Sequence, residues 1–327
     1  MINWGIIGAG NIAHRFAESL AQKKDGRLYA VANRTLEKAV QFQKRHSCEQ
    51  VYANYNDLLN DEQVDMVYIA LPHQYHFEWI KQALLHHKGV LCEKPATMSA
   101  NQMREVKALA EQQGVFFMEA MKNRFVPAFE MIYQHIQAGD IGDIVKISTS
   151  LCRLIPKANT SYHYLPIQGG CLLDLGIYNV GLFEPFIKQP LRVSTLAAVL
   201  DENDVEVYVK AQLVNAEVEV ILETAFDQTQ LAEAIFTGTK GRIRVIDFHR
   251  PTQFSLEIYG ESVTNFDYPY LPDDFSGEIQ AAMTAFSEGA LESEQMSLQS
   301  SVNCITLIDE IKQKLTEGAF INLASDV

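Results

Sequence analysis

The sequence predicts an α/β domain built on a doubly wound parallel sheet, followed by an α+β domain with a mainly antiparallel sheet. Three observations carry this. The chain has 327 residues, more than one hydrophobic core usually serves. In its first third, short apolar runs alternate with helical stretches, the pattern of a parallel sheet with crossover helices. In its second half, segments such as Val205-Glu206-Val207-Tyr208-Val209 alternate apolar and polar residues, which marks strands with one buried face.

In order, Ile2 to Ile7 reads as a strand and Asn11 to Gln22 as a helix with Ile12, Phe16 and Leu20 on one side. Leu28 to Ala32 is the second strand and Leu36 to Arg45 the second helix. Asp65 to Leu71 is the third strand, Phe77 to His86 a helix, and Val90 to Cys92 the fourth strand. Ser99 to Gln113 is a helix, with Ser99 as its N-cap and Gly114 as its stop; Val115 to Met118 closes the series. The architecture changes near residue 121, giving domains 1–121 and 122–327. Pro127 to Ala138 is a helix. Strands follow at Asp143 to Arg153, Leu191 to Leu200, Val205 to Leu213, Ala216 to Ala225, Leu231 to Thr237 and Gly241 to Phe248. The chain ends in helices at Asp274 to Ala290 and Ser297 to Leu315, which are free to pack back on the first domain.

Hydrophobic residues make up 47% and charged residues 21% of the chain, an ordinary globular balance. The formal charge is −14, which disfavours nucleic acid and anionic membranes as partners. No apolar run approaches the length of a membrane span, and the N-terminus shows no signal peptide. The five cysteines form no C-x-x-C pair. Free, buried thiols in a reducing cytoplasm are expected.

Gly8-Ala9-Gly10-Asn11-Ile12-Ala13 follows the first strand and opens the first helix. This G-x-G-x-x-A is a dinucleotide fingerprint in its expected context, and it makes the first domain a Rossmann domain. Gly8 permits the tight turn, Gly10 lets the pyrophosphate approach, and Ala13 lets helix lie on strand. The helix N–H groups of Asn11 and Ile12 face the phosphates. An NAD site usually has an acid at the end of the second strand. Here the chain reads Asn33-Arg34-Thr35, so nothing repels a 2′-phosphate. Arg34 can grip it, with Asn33 and Thr35 donating further. NADP(H) is therefore expected ahead of NAD(H).

Val90-Leu91-Cys92-Glu93-Lys94-Pro95 is a strand ending in Glu-Lys-Pro, and Gly169-Gly170-Cys171-Leu172-Leu173-Asp174-Leu175-Gly176-Ile177-Tyr178 lies downstream. With the glycine turn, these resemble the glucose–fructose oxidoreductase, inositol dehydrogenase and MocA (Gfo/Idh/MocA) family. Met118-Glu119-Ala120 and Arg124-Phe125 with Pro127 resemble the branch containing dimeric dihydrodiol dehydrogenase and NADP-dependent xylose dehydrogenase. Cys171 stands where the signature usually has a third glycine; Asn123 and Val126 stand where the branch commonly has Trp and His. The resemblance implies a second domain with a large open sheet that often forms a dimer interface, and a nicotinamide at the domain junction.

It also implies the site. Lys94 lies beside the substrate hydroxyl, after a Lys–Pro bond that is often cis in relatives. Asp174 and Tyr178 share a helix face if Leu172 starts a helix, with Tyr178 as acid/base. A tyrosine hydroxyl ordinarily ionises near pH 10, and a neighbouring ammonium such as that of Lys94 favours the phenolate. Pro72 and His76, with Leu71 and Glu93, are expected on the nicotinamide side. A zinc site at His73 and His76 lacks further ligands in the sequence, and no metal is expected. Arg124 is a candidate substrate contact. Tyr162 and His163 either line the substrate pocket or form a packed surface loop, which spacing does not decide. The implied activity is hydride transfer between nicotinamide and a secondary hydroxyl or carbonyl of a sugar, polyol or cyclic diol. Two other readings stay open: a cofactor-binding sensor without turnover, and an enzyme that uses tightly held nicotinamide transiently.

Overall fold

The computed structural model describes residues 1–157, 162–270 and 272–323. The chain divides into two compact units. The first is Met1–Lys122 with Leu271–Val302; the second is Asn123–Tyr270 with Asn303–Val327. Residues 271–302 thus cluster with the first unit, although the chain reaches them after most of the second.

The first unit holds six parallel strands: β1 (Ile2–Ile7), β2 (Gly26–Ala32), β3 (Gln50–Tyr52), β4 (Met66–Ile69), β5 (Gly89–Glu93) and β6 (Phe117–Ala120), in the order β3-β2-β1-β4-β5-β6. The crossover helices are α1 (Asn11–Leu20), α2 (Leu36–His46), α3 (Tyr55–Leu59), α4 (His76–Leu85) and α5 (Ala100–Gln113). The apolar runs are buried on both faces, as a covered parallel sheet requires: Trp4, Ile6, Val67, Tyr68, Val90 and Leu91 are fully buried. Strand order reverses between β1 and β4, so the ligand crevice of such a sheet opens at their carboxyl ends. Local signals set the helix ends. Ser99 accepts the Gln102 N–H at 3.3 Å at the start of α5, and Gly114, with φ 64°, ends it.

The second unit contains α6 (Pro127–Gln137), β7 (Ile144–Cys152), α7 (Ile177–Phe183), β8 (Arg192–Leu200), β9 (Glu206–Val214), β10 (Glu219–Ala225), β11 (Glu233–Gly238), β12 (Gly241–Ile246), β13 (Gln253–Ile258) and β14 (Thr264–Asp267). Next in the chain is α8 (Ser276–Ser287), which belongs to the first unit, where Met283 and Phe286 press on Gly26 and Gly89. Then come α9 (Leu298–Thr316) and β15 (Ile321–Asn322). The sheet of the second unit runs β14-β13-β12-β11-β7-β10-β9-β8-β15. Its pairs are antiparallel except β10 with β7 and β15 with β8. One face is buried through Ile147, Leu151, Val209, Ala211, Leu213, Val220, Leu222, Ala234, Phe236, Ile243 and Val245. All five cysteines are buried thiols outside any disulfide. Among the described residues no helix is long and apolar enough to cross a membrane.

Candidate functional site

The first unit gathers its candidates at the carboxyl ends of its strands. Gly8 ends β1 with φ 102°, and a Cβ there would lie 2.5 Å from the Ala70 carbonyl oxygen, so only glycine fits. Gly10 has open space where a side chain would stand. It precedes α1 without a side-chain cap. The first N–H groups of α1, those of Asn11 and Ile12, thus receive no cap from the side chain before them, which suits a pyrophosphate.

Asn33 closes this turn rather than pointing outward. Its side-chain oxygen accepts the Ala9 N–H at 3.3 Å, and its Nδ2 donates to the Thr35 carbonyl at 3.0 Å. Its carboxamide thus shapes the loop, using its oxygen and one of its two amide hydrogens. Arg34 is exposed, with its guanidinium 5.3 Å from the centre of the Tyr75 ring. Burial raises the Tyr55 pKa, and the positive charge of Arg34 opposes this. Tyr75 thus stands against Arg34, a pairing that its position 41 residues downstream does not announce in sequence.

Leu71 and Pro72 follow β4 at the switch point. His76 is fully buried, with Nε2 2.6 Å from the Leu71 carbonyl oxygen and Nδ1 2.8 Å from that of Pro95. Burial lowers its pKa, the two carbonyls oppose that, and Lys94 adds to the lowering. His76 therefore ties the end of β4 to the loop after β5, and neither ring nitrogen is left for a metal. The Lys94–Pro95 bond is cis. Glu93 accepts a short hydrogen bond from the Tyr68 hydroxyl, while Lys94 is half-buried. Behind them Lys122 pairs with Asp274 at 2.7 Å and Arg15 pairs with the same carboxylate. Burial lowers the Lys122 pKa, with Asp274 opposing. Glu278 is wholly buried and neither of its carboxylate oxygens has a hydrogen-bond partner. Burial first, then Glu93, pushes its pKa well above the ordinary value.

In the second unit the Gly-Gly-Cys turn leads into one π-helical turn, Leu172–Gly176, continuous with α7. Asp174 lies in the π turn and Tyr178 is the second residue of α7. A π turn at a helix start often marks a functional site. Cys171 replaces glycine without crowding: its thiol donates to the Thr224 carbonyl at 3.6 Å, and burial raises its pKa well above the ordinary value, so it is an inert packed thiol. The Tyr162 hydroxyl is 3.5 Å from Asp174 Oδ1, and His163 Nε2 is 3.6 Å from Oδ2, with the two rings stacked at 4.0 Å. Both residues thus converge on Asp174. Tyr178 has its ring 6.3 Å from that of His249, which meets Arg153 and Arg250. The Phe248-His249-Arg250 stretch carries no motif that marks it in sequence.

Arg124 turns inward. It is 1% exposed and donates to the Gly181 carbonyl at 2.6 Å and to Glu184 at 2.8 Å. The expectation that it contacts substrate is revised: burial and these partners make it a clamp between its own segment and the end of α7. Asn123 beside it is also fully buried, and neither end of its carboxamide has a hydrogen-bond partner.

Residues 2–121 match the model of the oxidoreductase family with an NAD-binding Rossmann fold, and 129–244 match the GFO/IDH/MocA C-terminal domain. A trans-1,2-dihydrobenzene-1,2-diol dehydrogenase of Xenopus tropicalis is 31% identical over 95% of this chain and 97% of its own. An NADP(+)-dependent scyllo-inositol 2-dehydrogenase of Bacillus subtilis is 26% identical over 96% and 97%. Among solved structures, a 3-ketoreductase from Actinomadura kijaniata in complex with NADP superposes with a TM-score of 0.87 at 26% identity, covering 98% of both chains. The glycine turn, the Glu-Lys-Pro strand end, the Gly-Gly-Cys helix start and similarity along almost the whole length agree: the chain belongs to the Gfo/Idh/MocA family of oxidoreductases.

Proposed function

We propose that this protein is an NADP-dependent oxidoreductase that moves a hydride between nicotinamide and a secondary hydroxyl or carbonyl of a sugar, polyol or cyclic diol. The observation that carries the cofactor choice is Arg34, set against the Tyr75 ring at the end of β2, where no carboxylate stands. A guanidinium so placed meets a 2′-phosphate with charge-assisted hydrogen bonds. Gly8, Gly10, Asn11 and Ile12 hold the pyrophosphate. Leu71, Pro72, Glu93 and Lys94 form the nicotinamide side, with His76 fixing the loops that carry them. The kinship with diol and inositol dehydrogenases supports the substrate class.

When bound, NADP supplies the hydride acceptor for oxidation and the donor for reduction. In oxidation, Tyr178 takes the proton of the substrate hydroxyl as the hydride leaves carbon, and passes it to solvent. In the family pattern Lys94 orients the substrate hydroxyl, and Asp174 supports Tyr178 in the proton transfer. Tyr162 and His163 border the substrate through their approach to Asp174. The working form is a cytoplasmic homodimer joined through the open sheet of the second unit, a reading that rests on the family pattern.

A fluorescence titration with NADPH and separately with NADH tests the cofactor choice. Tight, selective NADPH binding is expected, and Arg34→Ser should weaken NADPH by about ten- to a hundredfold, the worth of a hydrogen bond to a charged group. NADH binding should stay unchanged in the variant. Equal NADPH and NADH affinities in the wild type would overturn the assignment.

A further inference from the structure

The topology of the second unit brings three strand ends together. β11 is antiparallel to both β7 and β12, so these two run the same way, and β10 is parallel to β7. The carboxyl ends of β7, β10 and β12 therefore lie at one end of the sheet. Cys171 ties the start of the helical segment that carries Asp174 and Tyr178 to Thr224, near the end of β10. Arg153 follows β7 directly, and its N–H donates to the Ala225 carbonyl at 2.9 Å. Phe248, His249 and Arg250 follow β12, in a turn closed by the Arg250 N–H on the Asp247 carbonyl at 2.7 Å and pinned by the buried Phe248 ring.

Two guanidinium groups meet there on one imidazole. Arg153 donates through Nη2 to His249 Nε2 in a short hydrogen bond, and Arg250 Nε donates to the same nitrogen at 3.3 Å. A protonated imidazole has no acceptor, so the ring is neutral with its proton on Nδ1, and it offsets neither charge. Both guanidinium groups stay charged at any physiological pH. On β12 itself, Arg242 pairs with Glu257 and Arg244 with Glu233. Arg153 is exposed and, among the described residues, pairs with no carboxylate. The centre of the His249 ring lies 6.3 Å from that of Tyr178, so this positive charge stands next to the proposed proton carrier. A chain of net charge −14 repels anions in general, and the paired arginines reverse that sign at this one place.

We propose that Arg153 and Arg250 bind an anionic group of the substrate, a carboxylate or a phosphate ester, while Tyr178 serves the reacting hydroxyl. The substrate is then an acidic or phosphorylated sugar or polyol rather than a neutral one. Planar guanidinium forks suit two oxygens of one anion, and His249 sets the spacing between them. This rests on the proposed oxidoreductase function and narrows its substrate class.

The test uses protein saturated with NADP, so that Arg34 and the glycine turn are occupied, and three probes built on one ring: D-glucose, D-glucuronate and D-glucose 6-phosphate. Binding is read by calorimetry, and turnover as kcat and KM. At least one anionic probe should bind about ten- to a hundredfold more tightly than glucose, the worth of a hydrogen bond to a charged group, and its binding should weaken as salt is raised. Preference for glucuronate alone identifies a carboxylate, and preference for glucose 6-phosphate alone a phosphate ester. Arg153→Gln and Arg250→Gln should each raise KM for the preferred probe about tenfold more than for glucose, with NADPH affinity within twofold of wild type. Equal or undetectable binding of all three probes by the wild type would overturn the proposal. So would a preference that survives both glutamine substitutions while thermal stability falls, since the three side chains would then only brace β7 against the turn after β12. If a glutamine variant does not fold, Arg153→Lys and Arg250→Lys, which keep the charge but lose the fork, are read by the same criteria. Anion-selective binding without turnover of any probe would count against the proposed function alone and leave the anion site standing.

Discussion

Tyr178 and Arg34 are the residues at which the proposed chemistry and the proposed cofactor choice separate. Tyr178→Phe removes one oxygen from a buried ring that keeps its neighbour His249. Turnover should fall by roughly a hundred- to ten-thousandfold, the usual worth of a positioned acid or base, while NADPH affinity stays within twofold, by steady-state kinetics and fluorescence titration. Unchanged turnover would sink Tyr178 as the proton carrier. Arg34 was legible in sequence because the missing acid at the end of β2 is a local feature. Its support was not: Tyr75 reaches it only because β2 and β4 flank β1. Arg124 misled because a polar side chain can serve a ligand or its own protein, and only the fold reveals which: Arg124 bonds Gly181 and Glu184.

At the scale of elements, helix ends with a chemical signal were readable and short strands were not. Ser99 and Gly114 bound α5 through local hydrogen bonding and a left-handed turn. β3 has three residues and α3 five, too short for a period to show. Alternation along β10 disclosed a buried face but not its neighbours, and β10 runs parallel to β7 inside a sheet whose pattern suggested antiparallel pairing. Period and spacing left the last helices free to pack back on the first domain but did not name the surface: α8 meets Gly26 on β2 and Gly89 on β5, far away in sequence. The readable end makes a clean prediction. Ser99→Ala leaves the Gln102 N–H without its side-chain acceptor and should cost about 1 kcal/mol, seen as a lower urea midpoint with NADPH affinity unchanged. A midpoint equal to wild type would mean that water caps α5 as well as the serine does.

For the whole molecule the governing quantity is charge. A chain of net charge −14 repels itself as pH rises, and it keeps one carboxyl, Glu278, where water cannot reach either oxygen. Around it stand Glu93 and Asp274, which oppose its ionisation, Lys122 and Arg15, which favour it, and the Tyr68 hydroxyl, whose own pKa burial and Glu93 raise. Burial dominates, so the folded pKa of Glu278 lies well above the ordinary 4.5. The sign follows by linkage: the folded state binds a proton that the unfolded chain releases, so the contribution is fully present below pH 4.5 and is lost as pH rises through the folded value. Glu278→Gln keeps the shape and removes the titration. Relative to wild type, its urea midpoint should therefore be higher at pH 8 than at pH 5. Tryptophan emission reads this transition well, because the two tryptophans, Trp4 and Trp79, both belong to the first unit with Glu278. A glutamine variant whose midpoint tracks wild type at both pH values would show that Glu278 ionises as readily folded as unfolded, which requires that water or a cation reach its carboxylate in the folded protein.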